Sequence, residues 1–226
     1  VSSSNIDSLL TKDALLTSQT PAGLLVFDGD GKITYGSYLP HEKLQVYVDM
    51  AVGGDGSVYF LAHTYETPPM VTADAIFPTL QGIEVGFIMK FSGCDYSLTY
   101  ASCFGGTGHE ELTSIEVDSR GRLAIMGPTY GPGTYPLKNA AQSVPGSEEP
   151  ICVSVLAPDL DEIEFSTYLG GSNSQDTKYG YYGKQIGFDS TGNLYCIVYT
   201  TSADFPVVAP IPELPPLAAQ DRKSVV

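Results

Sequence analysis

The chain has 226 residues, 42% of them hydrophobic and 16% charged, a balance that suits a folded globular protein and excludes a disordered one. Lys and Arg number 11 against 26 Asp and Glu, and the net charge of -15 argues against nucleic-acid binding while attracting cations or basic surfaces. No apolar run approaches the ~20 residues of a membrane helix, and the opening "VSSSNIDSLL" lacks a signal peptide's basic-then-apolar pattern, so a soluble chain without a membrane span is expected.

Gly, Pro, Tyr, Thr and Val are abundant and long helix formers are few, which predicts an all-β chain of short strands joined by turns. Residues 1–22 form a lead-in containing "KDALL". "GLLVFD" then reads as a strand, "DGDGK" as a turn, "KITYGSYLP" as a second strand and "VGGDGSVYFLAHT" as a hairpin about Gly56. The same order returns as linker "ADAIF", strands "GFIMKFS" and "SLTYASCFGG", and a hairpin of "TSIEVD" and "RLAIMG" across "SRG". A third round gives "KNAAQ", "ICVSVLA", "EIEFSTYLGG" and "FDSTGNLYCIVYT". The Pro-rich "PVVAPIPELPPLAAQ" and "RKSVV", the opening of a further strand, complete residues 207–226.

The spacing makes this a repeat. Tyr35, Tyr100 and Phe165 recur at intervals of 65 residues, Gly56, Gly121 and Gly192 at 65 and 71, and Phe27, Phe91 and Leu156 at 64 and 65. Ala14, Ala75 and Ala140 keep the same register in the linkers. Three units follow, at 23–82, 83–146 and 147–206, each predicted to hold four antiparallel strands. A four-stranded sheet with two apolar faces needs a neighbour on each side, which is the physics of a propeller blade.

The third unit, "FSTYLGGSNSQD...IGFDSTGNLYCIVYTTSADFP", resembles the repeat of the seven-bladed β-propeller family known as SBBP. Phe165 to Gly171, Asp189 to Asn193 and Thr200 to Pro206 match that family's aromatic-Ser-Thr-Tyr-Leu-Gly-Gly strand, Asp-x-x-Gly-Asn turn and Thr-x-Ser-x-Asp-Phe-Pro close. Units one and two depart from it, with Pro40 where the glycine pair begins and Cys103 in place of the tyrosine. The resemblance implies a propeller and an extracellular or cell-surface location, and it brings no shared active site. Three blades fall short of the usual four to eight. The expected reasons are a fragment of a longer protein, a ring closed by several chains, or a terminal strand donated to a neighbour. The expected partners are therefore a protein, further copies of this chain or the rest of its parent chain, with no nucleic acid.

Candidate chemistry is sparse. The alternating oxygens of Asp28 and Asp30 in "DGDGK" suit a calcium loop, although Asp-Gly hairpin turns use the same letters. "GHEELT" places His109 beside Glu110 but lacks the second histidine of HExxH, and His41 and His63 come from another unit with no evident grouping, so no metal triad is legible. No GxSxG elbow, Ser/His/Asp set or paired-carboxylate site can be assembled by spacing, and no catalytic residue is assigned. The four cysteines show no zinc spacing. In an extended "CDYSLTYASC", Cys94 and Cys103 would lie about 30 Å apart, beyond disulfide reach. Cys152 and Cys196 read as buried free thiols.

The third unit alone carries "TKYGYYGK", whose Tyr179, Tyr181, Tyr182 and Lys184 form the interaction candidate. The expected function is a noncatalytic structural or protein-interaction module, self-assembling through an incomplete terminal blade. The alternative is a glycan- or other ligand-binding propeller, calcium-assisted, with its site on a rim or in a central funnel.

Overall fold

The computed structural model describes residues 6–131, 135–173 and 185–207, and these form an all-β structure. Two short strands, β1 (Gly23–Phe27) and β2 (Ile33–Tyr38), pair as a hairpin behind a single 3-10 turn at Ile6–Leu9. Next come β3 (Leu44–Val52), β4 (Val58–Thr64), β5 (Val85–Phe91) and β6 (Leu98–Phe104), an antiparallel sheet in chain order. The following five-stranded sheet holds β8 (Ser114–Val117), β9 (Leu123–Tyr130), β10 (Ile151–Leu156) and β11 (Ile163–Leu169). Its fifth strand, β7 (His109–Glu110), pairs with the far end of β9. A last hairpin joins β12 (Ile186–Phe188) to β13 (Leu194–Cys196).

The sheets are out of phase with the sequence repeat. A unit does supply four strands in order, but the expected four-stranded sheet within one unit is not what forms. The second hairpin of one unit pairs instead with the first hairpin of the next, β4 with β5 and β9 with β10. The reason lies in the linkers. Thr11 N donates to Gly36 O at 3.0 Å and Leu15 N to the Tyr35 hydroxyl at 3.0 Å, so the lead-in covers the free edge of β2. Thr72 N and Ile76 N make the same bonds to Ala101 O and the Tyr100 hydroxyl, at 3.0 and 3.1 Å, along β6. Lys138 N and Gln142 N repeat the pattern on Ser166 O and Thr167 Oγ1, at 3.2 and 2.8 Å, along β11. With those edges satisfied, the next hairpin has no ladder to join there.

The inter-unit pairing explains the unbroken apolar runs. Every residue of β4 is buried, because its alternate side chains enter two different cores. Phe60 and Ala62 join Leu24, Tyr35, Phe87 and Met89 in the layer shared with β1 and β2. Tyr59 and Leu61 join Ile88, Phe104, Ile115 and Ile125 in the layer shared with the second sheet. A third layer, with Met126, Val153, Ile186 and Phe205, lies between the second sheet and the last hairpin. The starting strands are tied directly: Asp49 Oδ2 accepts from Ile115 N at 2.9 Å and Ser114 Oγ at 3.2 Å, and Ser114 Oγ accepts from Gln185 N at 3.1 Å. Asp49, Ser114 and Gln185 are spaced by 65 and 71 residues, the intervals of the turn glycines.

Those turns share one design. Asp28 Oδ1 accepts from Asp30 N at 3.0 Å and Lys32 N at 2.9 Å, so the acidic turn proposed for calcium uses this oxygen to close a hairpin. Asp118 and Asp189 do the same with the backbone two and four residues on, each bond 2.9 Å. The glycine at the fourth position has φ of 80° at Gly31, 88° at Gly121 and 91° at Gly192, a region open to glycine and strained for other residues.

Burial works to raise the Asp118 carboxyl, but hydrogen bonds from the Arg122 guanidinium and from the backbone of Arg122 and Arg120 outweigh it and hold the group below its ordinary value. A depressed carboxylate stabilises the fold above its unfolded pKa of about 3.9, and that contribution is lost as pH falls through the lower folded value. Asp118→Asn should therefore lower the urea midpoint at pH 6, and by less at a pH below the unfolded carboxyl value. Urea titrations at the two pH values check this, and an unchanged gap would contradict it.

The glycine pair of the third unit sits where space is short. A Cβ on Gly171 would lie 2.4 Å from the Ser202 Cβ, because the closing "TSADFP" folds back and Asp204 Oδ1 accepts from Ser172 N and Oγ at 2.9 and 3.0 Å. All four cysteines are free. Cys94 is exposed in a turn closed by Ser92 N to Ser97 O at 2.9 Å, with Tyr96 at φ 55°, so the expected extended run from Cys94 to Cys103 is bent. Burial pushes the Cys103 and Cys196 thiols up to about 11 and Cys152 well above the usual range, although Cys196 is only half-buried.

Candidate functional site

The most chemically loaded region forms where the two larger sheets meet. After the glycine pair of the second unit the chain crosses the end of the first sheet as β7, with Ile83 N donating to Gly108 O at 2.9 Å and Glu110 N to Glu84 O at 3.0 Å. Extended backbone alternates its side chains, so His109 and Glu111 share one side and Glu110 takes the other. Glu110 is fully buried, accepting from Gly106 N and the Thr129 hydroxyl, both at 3.2 Å. Burial raises its carboxyl above the ordinary range, against the pull of those hydrogen bonds. Its role is to anchor the glycine loop.

His109 and Glu111 face Glu84, which stands just ahead of β5 and whose side chain is only 3% exposed. His109 Nε2 lies 2.7 Å from Glu84 Oε2 and 3.4 Å from Glu111 Oε1. His63, near the end of β4, brings Nδ1 within 3.3 Å of Glu84 Oε1, while its Nε2 is 2.7 Å from Leu112 O. That carbonyl can only accept, so Nε2 carries a hydrogen. The Tyr65 hydroxyl donates to Glu84, a bond that holds the phenol protonated above its usual range. Tyr130 donates to Glu111 Oε2 at 3.4 Å.

Glu84, His109 and Glu111 offer three donor atoms within 4.8 Å of one another. Beside them a groove of about 350 Å³ runs over β3, lined by Gln45, Val46, Tyr47, Tyr65, Glu84 and Glu111 among others. Val46 and Tyr65 on its wall are 46% and 49% exposed.

The expectation that His63 and His109 belong to no common group is corrected by this arrangement. Their residues lie on opposite sides of the boundary between units one and two, and the pairing of β4 with β5 closes that boundary. The sequence signal is a departure from the repeat: 65 residues on, His63 becomes Pro128 while Glu84 becomes Glu149. His41 lies elsewhere, its ring 6.2 Å from that of Tyr47. Asp28 and Asp30 occupy the β1–β2 turn, and Tyr179, Tyr181, Tyr182 and Lys184 lie outside the described residues.

Neither a protein-family model nor a curated protein sequence matches the chain. Among the matching solved structures is the Pyrococcus horikoshii acylaminoacyl peptidase, 8% identical with a TM-score of 0.21, the match covering 68% of this chain and 30% of that one. A likeness of that size carries no argument about fold or activity.

Proposed function

We propose that the chain is a noncatalytic β-propeller-type interaction module of an extracellular or cell-surface protein, whose recognition surface is the groove over β3. In this reading the sheets are successive blades, and the resemblance of the third unit to the SBBP repeat supports it. So do the shared apolar layers and the ties between β3, β8 and β12, as stacking about an axis requires. The carrying observation is the groove itself: an aromatic and aliphatic wall beside four ionisable side chains, two of them buried, at the boundary between units one and two. Apolar anchors next to convergent polar groups are the composition of a recognition surface.

Selection of a displayed peptide library on the immobilised chain tests this, with the double variant Val46→Ser, Tyr65→Ala as counter-target. The expected result is a peptide family that binds the wild type saturably and the variant at least about tenfold more weakly. Equal binding to both proteins, or none to either, would remove the groove as the recognition surface. A parallel glycan array, with and without calcium, addresses the carbohydrate-binding alternative, which strong saturable glycan binding would favour instead. Self-assembly belongs to the same proposal, since β13, unlike its counterparts β4 and β9, has one strand neighbour among the described residues. A single-chain mass in sedimentation equilibrium would exclude a stable assembly of copies.

A further inference from the structure

We infer that Glu84, His109 and Glu111 bind one divalent first-row transition metal ion, of the zinc class, with a coordination position left open to the groove. The three donor atoms come from two separate chain segments and lie within 4.8 Å of one another. An ion bonded at about 2.0 to 2.2 Å to nitrogen and carboxylate oxygen holds its ligands roughly 3 to 4 Å apart. The observed separations about His109 Nε2, 2.7 Å and 3.4 Å, require little adjustment to reach that arrangement.

The charge pattern supplies the second reason. His109 Nε2 is buried and makes no hydrogen bond, even though two carboxylate oxygens stand close to it. The distance to Glu84 suits a hydrogen bond but the direction does not. His63 Nδ1 faces the other Glu84 oxygen at 3.3 Å, its Nε2 being committed to Leu112 O. Two carboxylates and an imidazole nitrogen without a hydrogen bond therefore converge where positive charge belongs, and a buried carboxylate in that position is costly without it. A proton joins one nitrogen to one oxygen; a metal ion satisfies three converging atoms at once.

The donor set also selects the ion. One imidazole with two carboxylates suits zinc, cobalt or manganese, whereas calcium takes six to eight oxygens and would find too few here. Three protein ligands leave a position for water or for an oxygen or nitrogen of a bound partner, and Glu84 and Glu111 both line the groove from which it would come. His63 does not ligate; it positions the Glu84 carboxylate from behind, and Tyr65 holds the same group from the side.

The inference deepens the recognition reading but is tested without any partner. The full chain, stripped with a chelator, is titrated calorimetrically with Zn²⁺ and separately with Ca²⁺, and Co²⁺ binding is followed by visible absorption. One Zn²⁺ per chain is expected, with Ca²⁺ at least about 100-fold weaker. His109→Ala and Glu111→Gln should each weaken Zn²⁺ binding at least ~100-fold, and His63→Gln about 10- to 100-fold. Urea midpoints of the metal-free variants show that they fold, and the part-exposed Glu111 keeps a testable variant if His109→Ala does not. Cys94→Ser should bind like wild type, since its thiol takes no part. No saturable Zn²⁺ binding by the wild type, wild-type affinity in folded Glu111→Gln, or loss of binding in Cys94→Ser would each overturn the assignment. Peptide binding to the groove that fails while stoichiometric Zn²⁺ binding persists would remove the recognition reading and leave the metal site standing.

Discussion

Phe104→Ala should destabilise the protein by about 3 to 5 kcal/mol, the range for deleting a fully buried aromatic ring. Phe104 ends β6 with no exposed surface. Its ring meets Phe77 of the covering linker at 5.7 Å and Tyr135, between β9 and β10 of the neighbouring sheet, at 6.3 Å, both edge-on. One side chain thus joins a strand, the linker that seals the strand's edge and the neighbouring sheet. Edge-on aromatic contacts add to the area term, and the rigid sheets on both sides limit collapse into the cavity. Phe104→Leu, which keeps much of the volume, should cost under half as much. Urea unfolding of both variants checks this, and a loss below about 1 kcal/mol for Phe104→Ala would mean that the two sheets do not share this layer.

Gly127→Ala should be the second severe change, although it adds only a methyl group. Gly127 lies in β9 where residues 111–113 cross it, and an added Cβ would stand 2.4 Å from Leu112 Cα and 2.5 Å from Glu111 O. Both are backbone atoms and cannot rotate away. They are held there by Glu111 N to Pro128 O at 3.1 Å and Thr113 N to Met126 O at 2.8 Å. Relief requires lifting that crossing segment, at an expected cost of about 1 to 3 kcal/mol or more. The same movement would displace Leu112 O from His63 and Glu111 from His109, so Zn²⁺ affinity should fall together with stability. Gly187→Ala is the control, because nothing lies within 4 Å of its added Cβ. Equal unfolding midpoints for the two variants would show that the crossing segment is not seated as described.

Much of the local structure was legible in the chain because it depends on neighbours in sequence. Gly31, Gly121 and Gly192 follow from Asp-x-x-Gly, and the register of Ala14 and Ala75 anticipates linkers that donate to the hydroxyls of Tyr35 and Tyr100. Strand pairing was not legible in the same way. Whether β3 joins β2, or β4 joins β5 across a 20-residue connection, depends on which edge a linker has already occupied. Periodicity records that a strand exists and is silent on its partner. The site was hidden by the same ambiguity, since His63 and Glu84 look remote until the unit boundary is closed. In sequence His109 stands beside Glu110 with no second histidine to complete HExxH, whereas strand alternation turns Glu110 inward and pairs His109 with Glu111 instead.

The two-strand offset between repeat and sheet has a genetic consequence. A duplication or deletion of one 65-residue period, cut at any equivalent point, leaves every interior hairpin facing the same kind of neighbour as before. Such an event changes the number of sheets by one without orphaning a strand, so copy number in this architecture can drift while each surviving sheet stays intact. The His63–Glu84 boundary is the exception, because a copy inserted there would part the positioning His63 from Glu84 while leaving the three ligands, Glu84, His109 and Glu111, within one unit.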